Sequence, residues 1–243
     1  MTLICILLSS FLQPIDSVIL SRRFDRIEYD HNDLYAAPLI GKSIFRIRDD
    51  DSLRAFSFTN ELNYQIRDFR VTPFAIYINR GTTLEKYYIS AGIKEAVFTS
   101  DDIASFDLSR AQEIVLADRR RHEIIFLDFA YQTKFRIENI SAEDLRWHED
   151  LLYILTRSAI YIYDEYGNLI EKRPTPEICN RINFINGKMV VFAERSDYVY
   201  IAEEVWVKRE FPYPILDLSE SPKSLMILDE NGTIIRFFDR NDF

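Results

Sequence analysis

The stretch "AIYIYDEYGNLIEKRP", residues 159–174, decides the fold class of this 243-residue chain. An alternating apolar run is followed by a turn that contains Gly167, and a second alternating run comes after the turn. This pattern predicts a β-hairpin. Because an isolated hairpin is only marginally stable in water, the rest of the chain must supply strands that pair and pack with it.

Similar pairs of apolar runs recur along the whole chain. Their central runs start near Leu34, Phe74, Ile114, Leu151, Met189 and Leu225, at steps of 40, 40, 37, 38 and 36 residues. A further short run precedes each of them, so each unit contains four short strands. Four strands in about 40 residues is the spacing of a β-propeller blade. The sequence therefore predicts an all-β, six-bladed β-propeller; seven blades, another count, a sandwich pair, a barrel or a β-helix are the alternatives.

The last unit contains three strands, around Ile215–Leu218, Leu225–Leu228 and Ile234–Phe238. Residues 17–24, "SVILSRRF", form an unused strand before the first unit. We expect this N-terminal strand to pair with the outer edge of the last blade and to close the ring. Such pairing also removes an open sheet edge.

Residues 17–243 are predicted to form one propeller domain, and residues 1–16 are an apolar leader or a signal peptide. The run from Leu3 to Leu8 is too short for a transmembrane helix. No Lys or Arg precedes it and no clear cleavage site follows, so a buried first strand or short helix is the alternative. A cleaved leader predicts a periplasmic or extracellular protein, and an uncleaved one a cytoplasmic protein. The two cysteines, Cys5 and Cys179, provide neither a disulfide framework nor a zinc cluster.

The charge balance limits the classes of partner. The formal net charge is -9, whereas proteins that bind nucleic acids or anionic membranes usually present a basic domain or stripe. We therefore predict no nucleic-acid partner and no binding to anionic membrane surfaces, and the shortness of the Leu3–Leu8 run predicts no membrane span.

The unit "AIYIYDEYGNLIEKR" resembles the loosely repeated units of six-bladed propellers of the NHL and TolB-like kind. This resemblance extends over nearly the whole chain. It implies the propeller fold, and propellers of this broad class include scaffolds, ligand-binding modules, lactonases and glycan-active enzymes. Fold alone therefore does not decide the function.

One surface pattern suggests a binding site. The turn between the second and third strands carries an arginine in four consecutive units, at separations of 39, 38 and 38 residues, and a lysine in the first unit. The predicted partner-binding residues are Arg80, Arg119, Arg157, Arg195 and Lys42. Guanidinium groups match carboxylate and phosphate oxygens, so we expect a protein or an anionic ligand on this face. The alternative is that these arginines keep exposed turns soluble and pair with nearby acids.

The opposite face is predicted to be acidic. Its residues are Asp33, Asp49, Asp50, Asp51, Glu149, Asp150, Asp164, Glu165, Glu203 and Glu204.

The inner strands are expected to line a central channel with charged and polar residues. These residues include Arg26, Glu28, Asp68, Arg70, Asp107, Arg146, His148, Asn183 and Asp217. Glu28, Asp107 and Asp217 could hold a divalent metal, since hard cations prefer oxygen ligands. As many arginines are present, and neutralisation of the acids by these arginines is the simpler interpretation.

No catalytic residue and no cofactor is predicted, because the sequence contains no nucleophile elbow, phosphate-binding loop or dinucleotide fingerprint. The favoured interpretation is a non-enzymatic binding or scaffold propeller. The alternative is a lactonase-like propeller hydrolase that uses the channel carboxylates and a metal.

Overall fold

The computed structural model describes residues 14–30, 33–47, 53–59 and 64–243, which fold into six antiparallel sheets of four strands each. Each sheet is one blade of a propeller. The strands of a blade are called a to d here, counted from the channel outwards. The sequence-based prediction of a six-bladed, all-β propeller is confirmed.

The first described strand, β1 (Asp16–Ile19), is strand d of blade 6. Blade 1 consists of β2 (Arg26–Asp30), β3 (Asp33–Ala37), β4 (Ser43–Ile47) and β5 (Leu53–Ser57). Blade 2 consists of β6 (Asp68–Val71), β7 (Ala75–Asn79), β8 (Thr83–Tyr88) and β9 (Ile93–Thr99). Blade 3 consists of β10 (Ile103–Leu108), β11 (Ile114–Asp118), β12 (Glu123–Leu127) and β13 (Thr133–Glu138).

The remaining blades follow the same plan. Blade 4 consists of β14 (Asp144–His148), β15 (Leu151–Leu155), β16 (Ala159–Tyr163) and β17 (Leu169–Pro174). Blade 5 consists of β18 (Arg181–Ile185), β19 (Lys188–Phe192), β20 (Tyr198–Ala202) and β21 (Trp206–Glu210). Blade 6 consists of β22 (Ile215–Glu220), β23 (Ser224–Asp229), β24 (Ile234–Asp239) and β1. A single 3-10 turn, Arg240–Asp242, follows β24.

Packing between neighbouring blades holds the ring together. The a strands of adjacent blades contact each other around the channel. Six buried apolar clusters are found among the described residues, and each joins two neighbouring blades. One of them, for example, joins Val115 and Phe126 of blade 3 to Leu152 and Ile154 of blade 4. Because a single sheet cannot bury both of its faces, the blades depend on one another for stability.

Burial decreases from the middle of a blade to its outer edge, and this gradient explains the sequence pattern. Strand b of blade 3, β11, is buried along its whole length, whereas strand d, β13, is largely exposed. A strand buried on both faces is mostly apolar, so strands such as β11 and β12 appear as apolar runs in the sequence. The outer strands are polar and therefore give a weaker signal.

The N-terminal strand closes the ring, as the sequence predicts. β1 pairs antiparallel with β24, from Asp16 opposite Phe237 to Ile19 opposite Ile234. The strand ends at Ile19, earlier than predicted, but the chain remains attached because Phe24 N–H donates to Gly232 O at 2.7 Å. Gly232 has a φ of 69°, and a Cβ at this position would lie 1.9 Å from Phe24 O. Glycine is therefore required at this closure point.

Two faces result from the antiparallel connections. The b–c turns and the d–a connections lie at one end of the channel, which we call the first face. The a–b and c–d turns lie at the other end, the second face. Residues 1–13 of the predicted leader lie outside the described residues, whereas Asp16 belongs to β1. Within the part of the chain that the structure describes, no helix is long and apolar enough to cross a membrane.

Candidate functional site

The five cations predicted as a binding site all lie in b–c turns and hence on the first face. Arg80 follows β7 directly and Arg119 follows β11 directly. Arg157 and Arg195 come shortly after β15 and β19. Lys42 immediately precedes β4 and is exposed. The turns of five consecutive blades thus carry these residues.

The surroundings of the four arginines differ. Glu143 accepts hydrogen bonds from Arg119 Nη2 at 3.2 Å and from Arg157 Nε at 3.0 Å, so one carboxylate links the turns of blades 3 and 4. Arg195 is exposed, and no ion pair of its guanidinium is found among the described residues. Arg80 instead packs against its own blade and the connection that leads into it. Its guanidinium lies 4.2 Å from the centre of the Tyr64 ring and forms an ion pair with Glu85 at 3.2 Å.

A cavity of about 320 Å³ opens at the centre of the first face. Its lining residues come from five of the six blades, which places it on the ring axis, at the mouth of the channel. We call this cavity the funnel. Four arginines and three carboxylates converge on it: Arg26, Arg67, Arg119, Arg181, Asp102, Glu143 and Glu194. The funnel therefore carries an excess of guanidinium groups in a chain whose net charge is -9.

Ion pairs fix the guanidinium groups of the funnel. Glu194 Oε1 accepts hydrogen bonds from Arg26 Nη2 and from Arg181 Nε, both at 2.8 Å. Arg67 Nη1 donates to Asp102 Oδ1 at 2.6 Å. Burial by itself would raise the pKa of Glu194, but the neighbouring Arg181 and Arg26 outweigh this effect and lower the pKa below its ordinary value. The Glu194 carboxylate is therefore ionised at neutral pH.

Arg181 has donor capacity that the protein does not use. The residue is 8% exposed, and its Nη2 atom is buried without a hydrogen-bond partner. A buried unpaired donor costs free energy.

Arg70 forms the centre of the charged network in the channel. Its Nε donates to Asp107 Oδ1 at 2.8 Å and its Nη1 donates to Asp68 Oδ1 at 2.9 Å. Glu28 Oε2 lies 3.8 Å from the same Nη1 atom. Burial raises the pKa of Glu28 to about 8 although Arg70 opposes the shift, so Glu28 is mostly protonated at neutral pH.

Channel carboxylates also join one blade to the next. Asp217 of blade 6 accepts the backbone N–H of Ile27 in blade 1 at 2.9 Å. Asp107 Oδ2 accepts the N–H of Trp147 at 2.8 Å, which links blades 3 and 4. These hydrogen bonds connect backbone groups that no sheet ladder pairs.

The structure thus places Glu28, Asp107 and Asp217 in the channel. These are the three residues that the sequence offers as possible ligands of a divalent metal ion. There, Arg70 and backbone N–H groups occupy the oxygens of Asp107, and Ile27 occupies an oxygen of Asp217. Across residues 14–30, 33–47, 53–59 and 64–243, no group of three His, Cys, Asp or Glu side chains is arranged to hold a metal ion.

Sequence reasoning did not assign Arg67 or Arg181 to the binding site, and it placed Arg26 only in the channel. All three lie where strand a of a blade begins. The sequence does contain a pattern that could have identified them, because a charged residue lies at the start of strand a in five consecutive blades. These residues are Arg26, Arg67, Asp102, Glu143 and Arg181.

Six of the residues predicted for the acidic face lie in a–b and c–d turns, on the second face: Glu149, Asp150, Asp164, Glu165, Glu203 and Glu204. Glu149 and Asp150 form the a–b turn of blade 4, and Glu203 and Glu204 belong to the c–d turn of blade 5. Asp33 opens β3 and pairs with Arg46 at 2.6 Å. The predicted residues Asp49, Asp50 and Asp51 lie outside the described residues.

Comparison with known proteins supports the fold and goes no further. No protein-family model and no curated protein sequence matches the chain. An auxiliary nutrient binding protein from Bacteroides ovatus is 13% identical with a TM-score of 0.70, over 88% of this chain and 69% of that chain. A streptogramin B lyase is 11% identical with a TM-score of 0.68, over 92% of this chain and 86% of that chain. A chain of the mitotic checkpoint complex is 9% identical with a TM-score of 0.67, over 96% of this chain and 94% of that chain. Since propellers with such different roles share the architecture, function has to be argued from the site.

Proposed function

We propose that the protein is a non-enzymatic binding propeller whose first face receives an acidic segment of a partner protein. The observation that carries this proposal is the convergence of four arginines on one cavity at the channel mouth. Guanidinium groups favour carboxylate ligands because they present several N–H donors in one plane.

The funnel and the exposed arginines around it suit such a segment. A volume of about 320 Å³ is at the lower end of the range of small-ligand sites, about 300–1,000 Å³. The funnel can therefore take one or two acidic side chains. Arg119, Arg157 and Arg195, which we call the rim arginines, lie on the turns of blades 3 to 5 and can contact the rest of the segment. Positive charge on an otherwise acidic protein also directs the partner to this face.

The contacts of the channel carboxylates favour this proposal over a lactonase-like hydrolase. Asp107 and Asp217 each accept a hydrogen bond from a backbone N–H of the next blade, and Asp107 also accepts one from Arg70. A hydrolase would need the same oxygens for a metal ion, and the loss of these bonds would weaken the ring.

A labelled peptide of six glutamates, capped at both ends, tests the proposal by fluorescence anisotropy. We expect the wild-type protein to bind it, with an affinity that decreases as salt is added, because exposed charges are screened over about 8 Å at physiological ionic strength. The triple variant Arg119→Ala, Arg157→Ala, Arg195→Ala should bind about tenfold more weakly.

The matched control removes three cations from the outer strands of the same blades, in the variant Arg136→Ala, Lys172→Ala, Lys208→Ala. Its net charge equals that of the rim variant. Equal loss of affinity in both variants would show that only net charge matters, and would contradict a site on the first face. Competition by free citrate at the same carboxylate concentration would point to a small anion instead of a protein segment.

A further inference from the structure

A second cavity, of about 340 Å³, lies on the second face between blades 3 and 4. Trp147 and His148, at the end of β14, line it together with Glu149, Asp150 and Glu165 from the turns of blade 4. We call these five residues and the space that they enclose the acidic cleft. The cleft shares no lining residue with the funnel.

The charge of the acidic cleft is negative. Glu149, Asp150 and Glu165 are exposed at its edge. A fourth carboxylate on the lining, Glu113, already pairs with Lys134 at 2.7 Å, and the one arginine on the lining is Arg110. Burial lowers the pKa of His148, so its imidazole is neutral at pH 7 and adds no positive charge.

Aromatic rings make up another part of the lining. The His148 ring stacks on Phe184 with ring centres 3.9 Å apart and planes 6° apart, which fixes its orientation. The Nε1 atom of Trp147 and the Nε2 atom of His148 are buried and have no hydrogen-bond partner. The Trp147 ring beside the three exposed carboxylates is suited to an ammonium or guanidinium group.

The c–d turns on the same face present large apolar side chains to solvent. Phe129 in blade 3 is 70% exposed and Tyr166 in blade 4 is 74% exposed. Val205 in the c–d turn of blade 5 is 73% exposed, and Ile93, the first residue of strand d in blade 2, is 61% exposed. Tyr166 follows Glu165 of the acidic cleft, and a hydrogen bond with Glu165 raises its pKa. Exposed aromatic residues that recur on one face are typical anchors of protein interfaces.

We propose that the acidic cleft takes a lysine or arginine side chain from a basic, apolar-rich segment of a partner protein, while Phe129 and Tyr166 contact the apolar residues beside it. The complementary charge and the neighbouring exposed aromatic residues favour a protein segment over a free cation. This site goes beyond the proposed function on the first face. Together, the two sites would let the propeller hold an acidic and a basic partner at opposite ends of its channel.

The test uses a capped, tryptophan-free peptide in which arginine alternates with leucine, and a matched peptide with glutamate in place of arginine. The chain has two tryptophans, Trp147 and Trp206, so the folded protein gives two indole N–H signals in an NMR spectrum. A Trp206→Phe variant assigns them. We expect the arginine peptide to shift the Trp147 signal while the Trp206 signal stays in place. An unshifted Trp147 signal on a peptide-saturated protein would overturn the proposal.

Two variants distinguish binding in the acidic cleft from attraction by the overall negative charge of the protein. The triple variant Glu149→Gln, Asp150→Asn, Glu165→Gln should bind the arginine peptide about tenfold more weakly. The control variant Glu171→Gln, Glu203→Gln, Glu204→Gln loses the same three charges away from the cleft and should keep the wild-type affinity. Equal losses in both variants, or equal binding of the glutamate peptide, would overturn the assignment.

Two further measurements complete the test. Agmatine, a small guanidinium compound, should bind more weakly than the peptide, and binding at least as tight would overturn the assignment to a protein segment. The rim variant of the first face should bind the arginine peptide like the wild type. Failure of the first-face site and failure of the acidic cleft can therefore be distinguished.

Discussion

Arg70 in the channel and Arg157 on the first face carry the same charged group in opposite surroundings. The Arg70 side chain is 6% exposed and reaches two carboxylates at 2.8 and 2.9 Å, whereas the Arg157 side chain is 80% exposed and reaches Glu143 at 3.0 Å. Breaking a buried ion pair leaves an uncompensated charge, but an exposed pair is screened by water. The comparison indicates that the channel arginines maintain the ring, whereas the exposed rim arginines contribute little to the stability of the fold.

The largest effect is expected for Arg70→Met, which keeps much of the side-chain volume and removes the charge. Asp68 and Asp107 then stay buried without their partner, and the free energy of unfolding should decrease by about 3–5 kcal/mol. Urea unfolding at pH 7 measures this change. A variant as stable as the wild type would show that the channel arginine does not hold the ring.

The substitution Glu28→Gln is expected to increase the free energy of unfolding, by less than Arg70→Met decreases it. The pKa of Glu28 is raised from 4.5 to about 8 in the folded protein, so the folded state binds a proton that the unfolded chain releases between these pH values. Stability from this group therefore falls as the pH rises through that window. Glutamine removes the proton uptake, and at pH 9 the variant should be more stable than the wild type by about 1–2 kcal/mol.

The difference between the two proteins, measured by urea unfolding at pH 5, 7 and 9, isolates Glu28 from the other channel acids. It should be near zero at pH 5 and grow towards pH 9. A difference independent of pH would mean that Glu28 keeps an ordinary pKa in the fold.

The channel and the first face also differ in how well they can be predicted from the sequence. The blades could be predicted because strands such as β7 and β11 are buried along their whole length and recur at a fixed period. The rim arginines occupy one position in that repeat, so the period also predicts the face on which they lie. The packing of Arg80 on Tyr64 could not be predicted, because Tyr64 lies in the connection between blades 1 and 2, 16 positions away in the sequence.

The funnel could not be assembled from local sequence. Arg26 and Glu194 are 168 positions apart in the chain and meet only because the ring closes. The same holds for Arg70 and Asp107, which belong to different blades. A repeat pattern gives the place of a residue in its blade, but ion pairs across the channel depend on the number of blades and on their curvature.

A third prediction concerns Glu143, which holds two of the rim arginines. Glu143→Gln keeps the shape of the side chain and releases Arg119 and Arg157 from their carboxylate. We expect the affinity for the hexaglutamate peptide to increase about threefold, because an internal competitor is lost. The anisotropy titration measures this change, and a decrease in affinity would indicate that Glu143 positions the arginines rather than competing with the ligand.

The smallest effect is expected for Arg157→Ala alone. An exposed turn residue rarely contributes more than about 0.5 kcal/mol to stability, so the urea midpoint should barely change. Thermal unfolding monitored by circular dichroism provides a second measurement. If Arg157→Ala decreased the free energy of unfolding as much as Arg70→Met, the channel and rim arginines would not differ in their contribution to stability.

The most direct test of the account is to locate an acidic peptide on the folded protein. A hexaglutamate peptide with a photo-reactive group at its centre can be cross-linked to the wild-type protein and mapped by mass spectrometry. The account predicts cross-links in the b–c turns of blades 3 to 5, at residues 119–122, 156–158 and 193–197. Cross-links concentrated in the turns of the second face, at residues 149–150, 164–168 and 203–205, would contradict it.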